Sequence, residues 1–499
     1  MKLSEYVKLD AVALANLVKK REVKKSELIE LSLARLSQVN NKLNAVTYVR
    51  KEQALQEAQA ADDLAFQGVP IFLKDISQTI KGEPSTSGAK LLKDERAGHT
   101  AHFVRDLYDA GLISLGNSTT PEFALKNITE PALHGATRNP WQVEHSPGGS
   151  SGGAAALVAA GVVAVAGASD GGGSIRIPAS FTNLVGLKPS RGRTAVGPGL
   201  GRKWQGAAID FVLTRSVRDT ARALDGSQVL QPEAAFQVPL FKGSYETEMK
   251  RPFDKQLRIG FALDSPVATP VSEEAKEAVR KTVTWLEQEG HHVEEVSHPV
   301  DGEQLMREYY IMNSGEMAAV MRHYETYLQR KLTATDVEIE SWLLYRAGEK
   351  VRAADFTASL AAWDIAAAKM AAFHQTYDFF ITPATAFSAP KIGEFSYGEK
   401  QKQAWIEQIE AIDFKEQQAL IYDMFLPSLT YTPFTQLANI TGQPAISLPV
   451  HITKEGMPLG VHIMASKGEE AQLLQVAHML EASSIWEGMR DTALTFNLN

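Results

Sequence analysis

Two serine-bearing, glycine-dense loops carry the chemistry-bearing residues of this sequence. They are Gly148-Gly149-Ser150-Ser151-Gly152-Gly153 and Asp170-Gly171-Gly172-Gly173-Ser174, joined by the alanine-rich stretch Ala154 to Ala168. Glycine at this density costs chain entropy, and an ordinary core has no use for it. It suits backbone that must bend sharply or approach a ligand closely, and successive Gly N–H groups can converge on an anion. A serine following such a loop is a candidate nucleophile whose oxyanion hole is its own backbone. A third residue stands out at the end of the apolar run Val69-Pro70-Ile71-Phe72-Leu73-Lys74. Burying an ammonium is expensive unless it is paired or neutralised, and the plain alternative is a lysine snorkelling from a strand end. If burial lowers its pKa toward neutrality, Lys74 can serve as a base for serine.

Three chemistries compete for the loops. A phosphate cradle of the P-loop type needs a Lys after the last glycine, and none follows Gly153. Gly149-Ser150-Ser151-Gly152-Gly153 matches the Gly-x-Ser-x-Gly nucleophile elbow of α/β-hydrolases, with Ser151 as nucleophile. That elbow requires an apolar strand immediately before it, whereas Glu144-His145-Ser146-Pro147 is turn chemistry. Its histidine and acid partners would also have to follow, and no later histidine stands in a marked context. His99 and His102 lack a third ligand, so no metal site is expected. The third chemistry joins both loops to Lys74 as base.

The elements that must position these residues read as an α/β succession. The N-terminal residues 1–66 read as a helical layer: two helices over residues 8–40, with Ser26 as an N-cap, and a further helix over 51–66. A buried strand leads to Lys74. An amphipathic helix and a strand span 100–116, and residues 67–225 form the catalytic core with the two loops. Leu257 to Ala262, a helix capped by Ser272, and His292 to Val296 make a β-α-β unit with parallel pairing. Residues 303–425 are mostly helical and are expected to wall a substrate pocket. Two late strands near 442–449 and 459–464 and a helix over 470–481 close the chain. The 499 residues can bury a large core and are read as one domain.

Composition excludes several classes. The chain is 44% hydrophobic and 22% charged, with net charge −8 and no block of like charges, which disfavours nucleic-acid binding. No cysteine is present, so disulfides, Cys nucleophiles and thiolate metal sites fall away, in keeping with a cytoplasmic protein. No signal peptide is read at the N-terminus. The longest apolar run, Ala154 to Ala168, is too short to span a bilayer at ~20 residues.

Taken together, the motifs resemble the amidase signature family of hydrolases. Gly148 to Gly153 matches its Gly-Gly-Ser-Ser-Gly-Gly loop, and Asp170 to Ala179 its Asp-x-Gly-Gly-Ser-Ile-Arg-x-Pro-Ala segment. Gly68-Val69-Pro70 through Asp75 matches its lysine segment, Gly186-Leu187-Lys188-Pro189 follows in place, and Gly442 to Ser447 matches its C-terminal strand. The resemblance covers nearly the whole chain. It implies an α/β amidase signature fold, a large mixed, twisted central sheet covered by helices on both faces. It implies hydrolysis of a carboxamide through a Ser acyl-enzyme and a Ser–cisSer–Lys triad, without a cofactor. Carried over residue by residue, Ser174 is the nucleophile, Ser150 the bridging serine after a cis peptide, and Lys74 the base. Gly171, Gly172, Gly173 and Ser174 supply N–H groups to the oxyanion, Ser151 belongs to the same binding set, and Asp170 and Arg176 are structural at the site.

Within the family, the stretch from Thr129 to Arg193 resembles the 6-aminohexanoate cyclic-dimer hydrolase branch. The run Leu305 to Asp336 aligns with that branch and places Asn313 in the pocket; Phe434 and Trp342 are further expected lining residues. Two departures stand out. Ala168-Ser169-Asp170-Gly171 replaces the usual Gly-Thr-Asp-Thr, and Asn117-Ser118-Thr119-Thr120 stands where Lys-Thr-Asn is common. The in-family rival is a glutamine amidotransferase A subunit working with partner subunits; Ile177 and the continuation Ser190-Arg191-Gly192-Arg193 differ from that group. The expected partner is a small-molecule amide, with no nucleic acid and no membrane, and a homodimer is a compatible assembly.

Overall fold

The computed structural model describes residues 1–60 and 63–488. Among the described residues, eleven strands form one mixed sheet: β1 (Val46–Val49), β2 (Val69–Lys74), β3 (Leu112–Ser118), β4 (Val165–Asp170), β5 (Val185–Lys188), β6 (Ile209–Thr214), β7 (Arg258–Phe261), β8 (His292–Glu295), β9 (Phe379–Pro383), β10 (Ala445–Ile452) and β11 (Pro458–Ala465). Their order across the sheet is β1-β3-β2-β4-β6-β5-β10-β11-β9-β7-β8. Strands β2, β3, β5, β6, β9 and β11 are buried throughout and β4 at every residue but Ser169, which is why they read as largely apolar runs rather than alternating ones. The unit β7–helix–β8 is parallel, with Arg258 opposite His292. Its helix, Glu273–Gln288, begins at Ser272, whose Oγ accepts the Ala275 N–H at 3.2 Å.

The N-terminal layer differs from expectation in three places. The second long helix runs Lys25–Leu43 from Lys24, so Ser26 lies inside its first turn and does not cap it. The next helix stops at Glu57, well short of residue 66; the expected continuation crosses residues 61–62, outside the described residues. Between them lies β1, which pairs antiparallel with β3. Four residues of moderate burial carry too little periodicity to announce a strand; the pairing to β3 makes it one.

Three neighbouring strands position the chemistry. β2 runs parallel to β4, with Phe72 opposite Ala166, and β4 runs antiparallel to β6, with Ser169 opposite Asp210. Lys74, Ser169 and Asp210 therefore meet near one edge of the β2-β4-β6 array. The alanine-rich stretch resolves into a helix, Gly152–Ala159, buried along its whole length, followed by β4. A Cβ at Gly153 would lie 2.4 Å from the Thr119 backbone nitrogen, so the helix start packs directly on main chain and admits no side chain there. A second apolar cluster is built by the helices Gly302–Leu328, Ile339–Gly348, Ala353–Phe373 and Phe414–Tyr431. It reaches the second loop through Tyr309, whose hydroxyl donates to the Gly171 carbonyl.

Candidate active site

Lys74 ends β2 and is buried. Its Nζ lies 2.8 Å from Ser150 Oγ, 2.9 Å from Ser151 Oγ and 3.0 Å from Ser169 Oγ. Burial pushes its pKa down from 10.5 to about 7, against the opposing pull of the Asp210 and Asp170 carboxylates. The Gly149–Ser150 peptide is cis. The Ser151 hydroxyl donates to the Ser169 carbonyl (3.2 Å) and accepts the Ser169 N–H (3.2 Å), so β4 holds it in place.

The second loop is organised around Asp170. Its carboxylate accepts the N–H of Gly173 (2.8 Å) and of Ile175 (3.1 Å), two guanidinium bonds from Arg176 (3.0 and 2.8 Å) and the Asn439 amide (2.8 Å). This fivefold coordination, the Arg176 charge foremost, overcomes burial and holds the carboxyl well below the usual carboxylate range. Arg176 is itself fixed by the Thr435 carbonyl, Asn439 Oδ1 and His462 Nε2. The carbonyls of Gly171 and Gly172 are tied by Tyr309 Oη (2.8 Å) and Thr435 Oγ1 (2.7 Å). With the carbonyls turned away and held, the N–H groups of Gly171, Gly172 and Ser174 donate to no group among the described residues. Gly173 is different. Its N–H is occupied by Asp170, which removes it from the expected oxyanion set. Its φ of +129° is one that a side chain rarely adopts, and a Cβ would lie 2.2 Å from Thr435 Oγ1.

Ser174 and Ser150 face one cavity of about 280 Å³. The Ser151 N–H reaches the Ser174 carbonyl at 3.3 Å and links the two loops, while no hydrogen bond joins the Ser150 and Ser174 hydroxyls among the described residues. Asn313 lines the cavity and bonds the Trp204 indole N–H. The other expected lining residues fall elsewhere. Ser151 is fully buried on Lys74 and does not reach the cavity, which also leaves the nucleophile-elbow reading without an exposed serine. Phe434 borders a separate cavity of about 30 Å³. Trp342 packs inside the helical cluster, because on Ile339–Gly348 it faces the neighbouring helices.

Several site residues were not read from the sequence. Ser169 completes the hydroxyl shell of Lys74. Lys203 and Asp210 form an ion pair on the cavity wall. Asp210 carried a usable signal, an acid inside the apolar run Ile209-Asp210-Phe211-Val212-Leu213, the same signal that marks Lys74. His462, Asn439 and Thr435 carried none, since their roles arise only when distant chain returns to Arg176.

Comparison with known proteins places this chain in a group. The family model described as Amidase matches residues 27–474. A lipoamidase of Enterococcus faecalis is 40% identical over 480 residues, which is 96% of this chain; the chain spans 64% of that protein's length. A 6-aminohexanoate-cyclic-dimer hydrolase of Paenarthrobacter ureafaciens is 35% identical over 493 residues, covering 97% of both chains. A solved structure of 6-aminohexanoate cyclic dimer hydrolase complexed with substrate superposes with a TM-score of 0.86 at 35% identity, covering 95% of this chain and 97% of the other.

Proposed function

The chain belongs to the amidase family of hydrolases acting on amide bonds, and from that premise we propose that it cleaves a small-molecule carboxamide with Ser174 as nucleophile, Ser150 as proton bridge and Lys74 as base. The observation that carries this reading is the 2.8 Å contact between Lys74 Nζ and Ser150 Oγ. A neutral amine has two N–H donors and one lone pair, yet Lys74 Nζ meets three hydroxyls. One hydroxyl must therefore donate to it. Ser151 already donates to the Ser169 carbonyl, and of the two hydroxyls left Ser150 is the one that the family resemblance gives as the bridge to Ser174.

The reaction then runs as a relay. Lys74 takes the proton of Ser150, and Ser150 takes that of Ser174. Ser174 Oγ attacks the amide carbonyl carbon, and the resulting oxyanion is held by the N–H groups of Gly171, Gly172 and Ser174. Collapse breaks the C–N bond as the proton returns through Ser150 to the leaving nitrogen. Water, deprotonated by the same relay, attacks the acyl ester; the acid leaves and Ser174 is restored. Asp170 and Arg176 touch no reacting atom in this scheme and act by holding the loop. A cytoplasmic location and a homodimer complete the reading, the former in keeping with the absence of cysteine and the latter to be read by light scattering.

The test uses a fluorophosphonate probe, which needs no knowledge of the natural amide. A single adduct on Ser174, absent in Ser174→Ala and strongly slowed in Lys74→Ala, is expected. An adduct on Ser151 or on any other residue would overturn the assignment.

A further inference from the structure

Among the described residues, three charged ones line the active-site cavity: Lys126, Lys203 and Asp210. Each is already matched. Lys126 Nζ lies 2.5 Å from Glu338 and 3.6 Å from Glu340. Lys203 is paired with Asp210, whose second oxygen accepts the Ser77 hydroxyl at 2.5 Å. Much of the remaining wall is apolar, with Phe123, Met306 and the stacked pair Tyr310–Phe425, whose ring centroids are 5.1 Å apart. A charged group entering this space gives up its hydration and meets no free counter-charge, whereas a methyl group loses nothing.

We propose that the acyl group taken by this cavity is an uncharged, largely apolar chain, and that the Lys203–Asp210 ion pair enforces that choice. The pair works by mutual cancellation. Each member alone would draw a ligand of the opposite sign; together they present neither charge, and selectivity comes from what is refused. Lys203 is the partly exposed member and Asp210 the buried one, so a neutral substitution of Lys203 uncovers a carboxylate toward the cavity. A neutral substitution of Asp210 releases an ammonium into it. The inference rests on the hydrolytic reading above, because Ser174 must be the group acylated.

The experiment uses three fluorophosphonates that share a hexyl chain ending in a methyl, an ammonium or a carboxylate group. Rates of adduct formation at Ser174 are measured for the wild-type chain, Lys203→Met and Asp210→Asn. The wild type should take the methyl-ended probe about tenfold faster, or more, than either charged one. Lys203→Met should raise the ammonium-to-methyl ratio about tenfold, and Asp210→Asn the carboxylate-to-methyl ratio similarly. Ratios taken within one variant cancel any change in the reactivity of Ser174 or Lys74. Equal wild-type rates for the three probes, or ratios unmoved in Lys203→Met, would overturn the proposal. The Lys203→Met arm suffices even if Asp210→Asn does not fold. An adduct that persists in Ser174→Ala would instead sink the hydrolytic reading, so the two failures are distinct.

Discussion

Lys74 offers a quantitative test of the base assignment. At pH 7 an ordinary lysine, with a pKa near 10.4, is neutral in only about four molecules in ten thousand. Burial brings Lys74 to about 7, so about half of the chains carry the neutral amine at that pH. The gain in available base is roughly a thousandfold. The perturbations are Lys74→Ala, which removes the amine, and Lys74→Arg, which keeps a cation and donors but cannot give up its proton. The assay is the rate of Ser174 modification by a fluorophosphonate between pH 5 and 9. The wild-type rate should climb about tenfold per unit below pH 7 and level off above it, since only the deprotonated amine accepts the Ser150 proton. Both variants should be slower by roughly a hundred- to ten-thousand-fold and lose that limb. Asp210→Asn should move the limb to lower pH, because the Asp210 carboxylate favours the charged form of Lys74. A limb near pH 7 surviving in Lys74→Ala would refute the reasoning, as would a wild-type profile with no limb between pH 6 and 8.

Further expectations follow from the same geometry. Lys74→Met should be more stable than the wild type, by about 1–3 kcal/mol after the lost hydroxyl contacts are counted. The folded-state pKa lies below the unfolded one, so the penalty of burying this lysine is full below about pH 7 and gone above 10.5; the gain in melting temperature should shrink as pH rises through that window. Asp170→Asn leaves the buried Arg176 guanidinium without its counter-charge and should cost about 3–5 kcal/mol in urea unfolding. Gly171→Ala should retain probe labelling, since its Cβ would meet Ala208 Cβ at an ordinary 3.4 Å. Gly173→Ala should lose it, with Thr435 Oγ1 only 2.2 Å from the new carbon.

What the sequence made legible was whatever a short segment can announce. An apolar run closed by a lysine gave β2 and Lys74; Ser272 with an apolar stripe behind it gave the helix Glu273–Gln288. The signature segments brought Ser150, Ser174, Asp170 and Arg176 together. What stayed hidden needed partners from afar. β1 exists because β3 lies beside it, and the placing of β10 next to β5 joins segments on either side of the helical region. The direction of a single N–H could not be read either. Gly171, Gly172 and Gly173 are the same residue in sequence, and only the position of the Asp170 carboxylate separates the one that is occupied from the two that are not. Trp342 and Phe434 failed as lining residues for a related reason: a bulky aromatic announces burial, not which side of the wall it faces.

The clamp on the second loop has a consequence for the life of the chain before it is complete. Asp170 and Arg176 are steadied by Asn439, Thr435 and His462, residues 259 to 286 positions further along. Thr435 also holds the Gly172 carbonyl. A ribosome that has just added residue 176 has made Lys74, Ser150 and Ser174 but none of these fasteners, and N-terminal portions of a chain begin to fold first during synthesis. The serine therefore exists long before its loop is set. Hydrolytic competence arrives late, with the last strands, and a polypeptide cut short before residue 435 would be chemically silent however well its front half had folded.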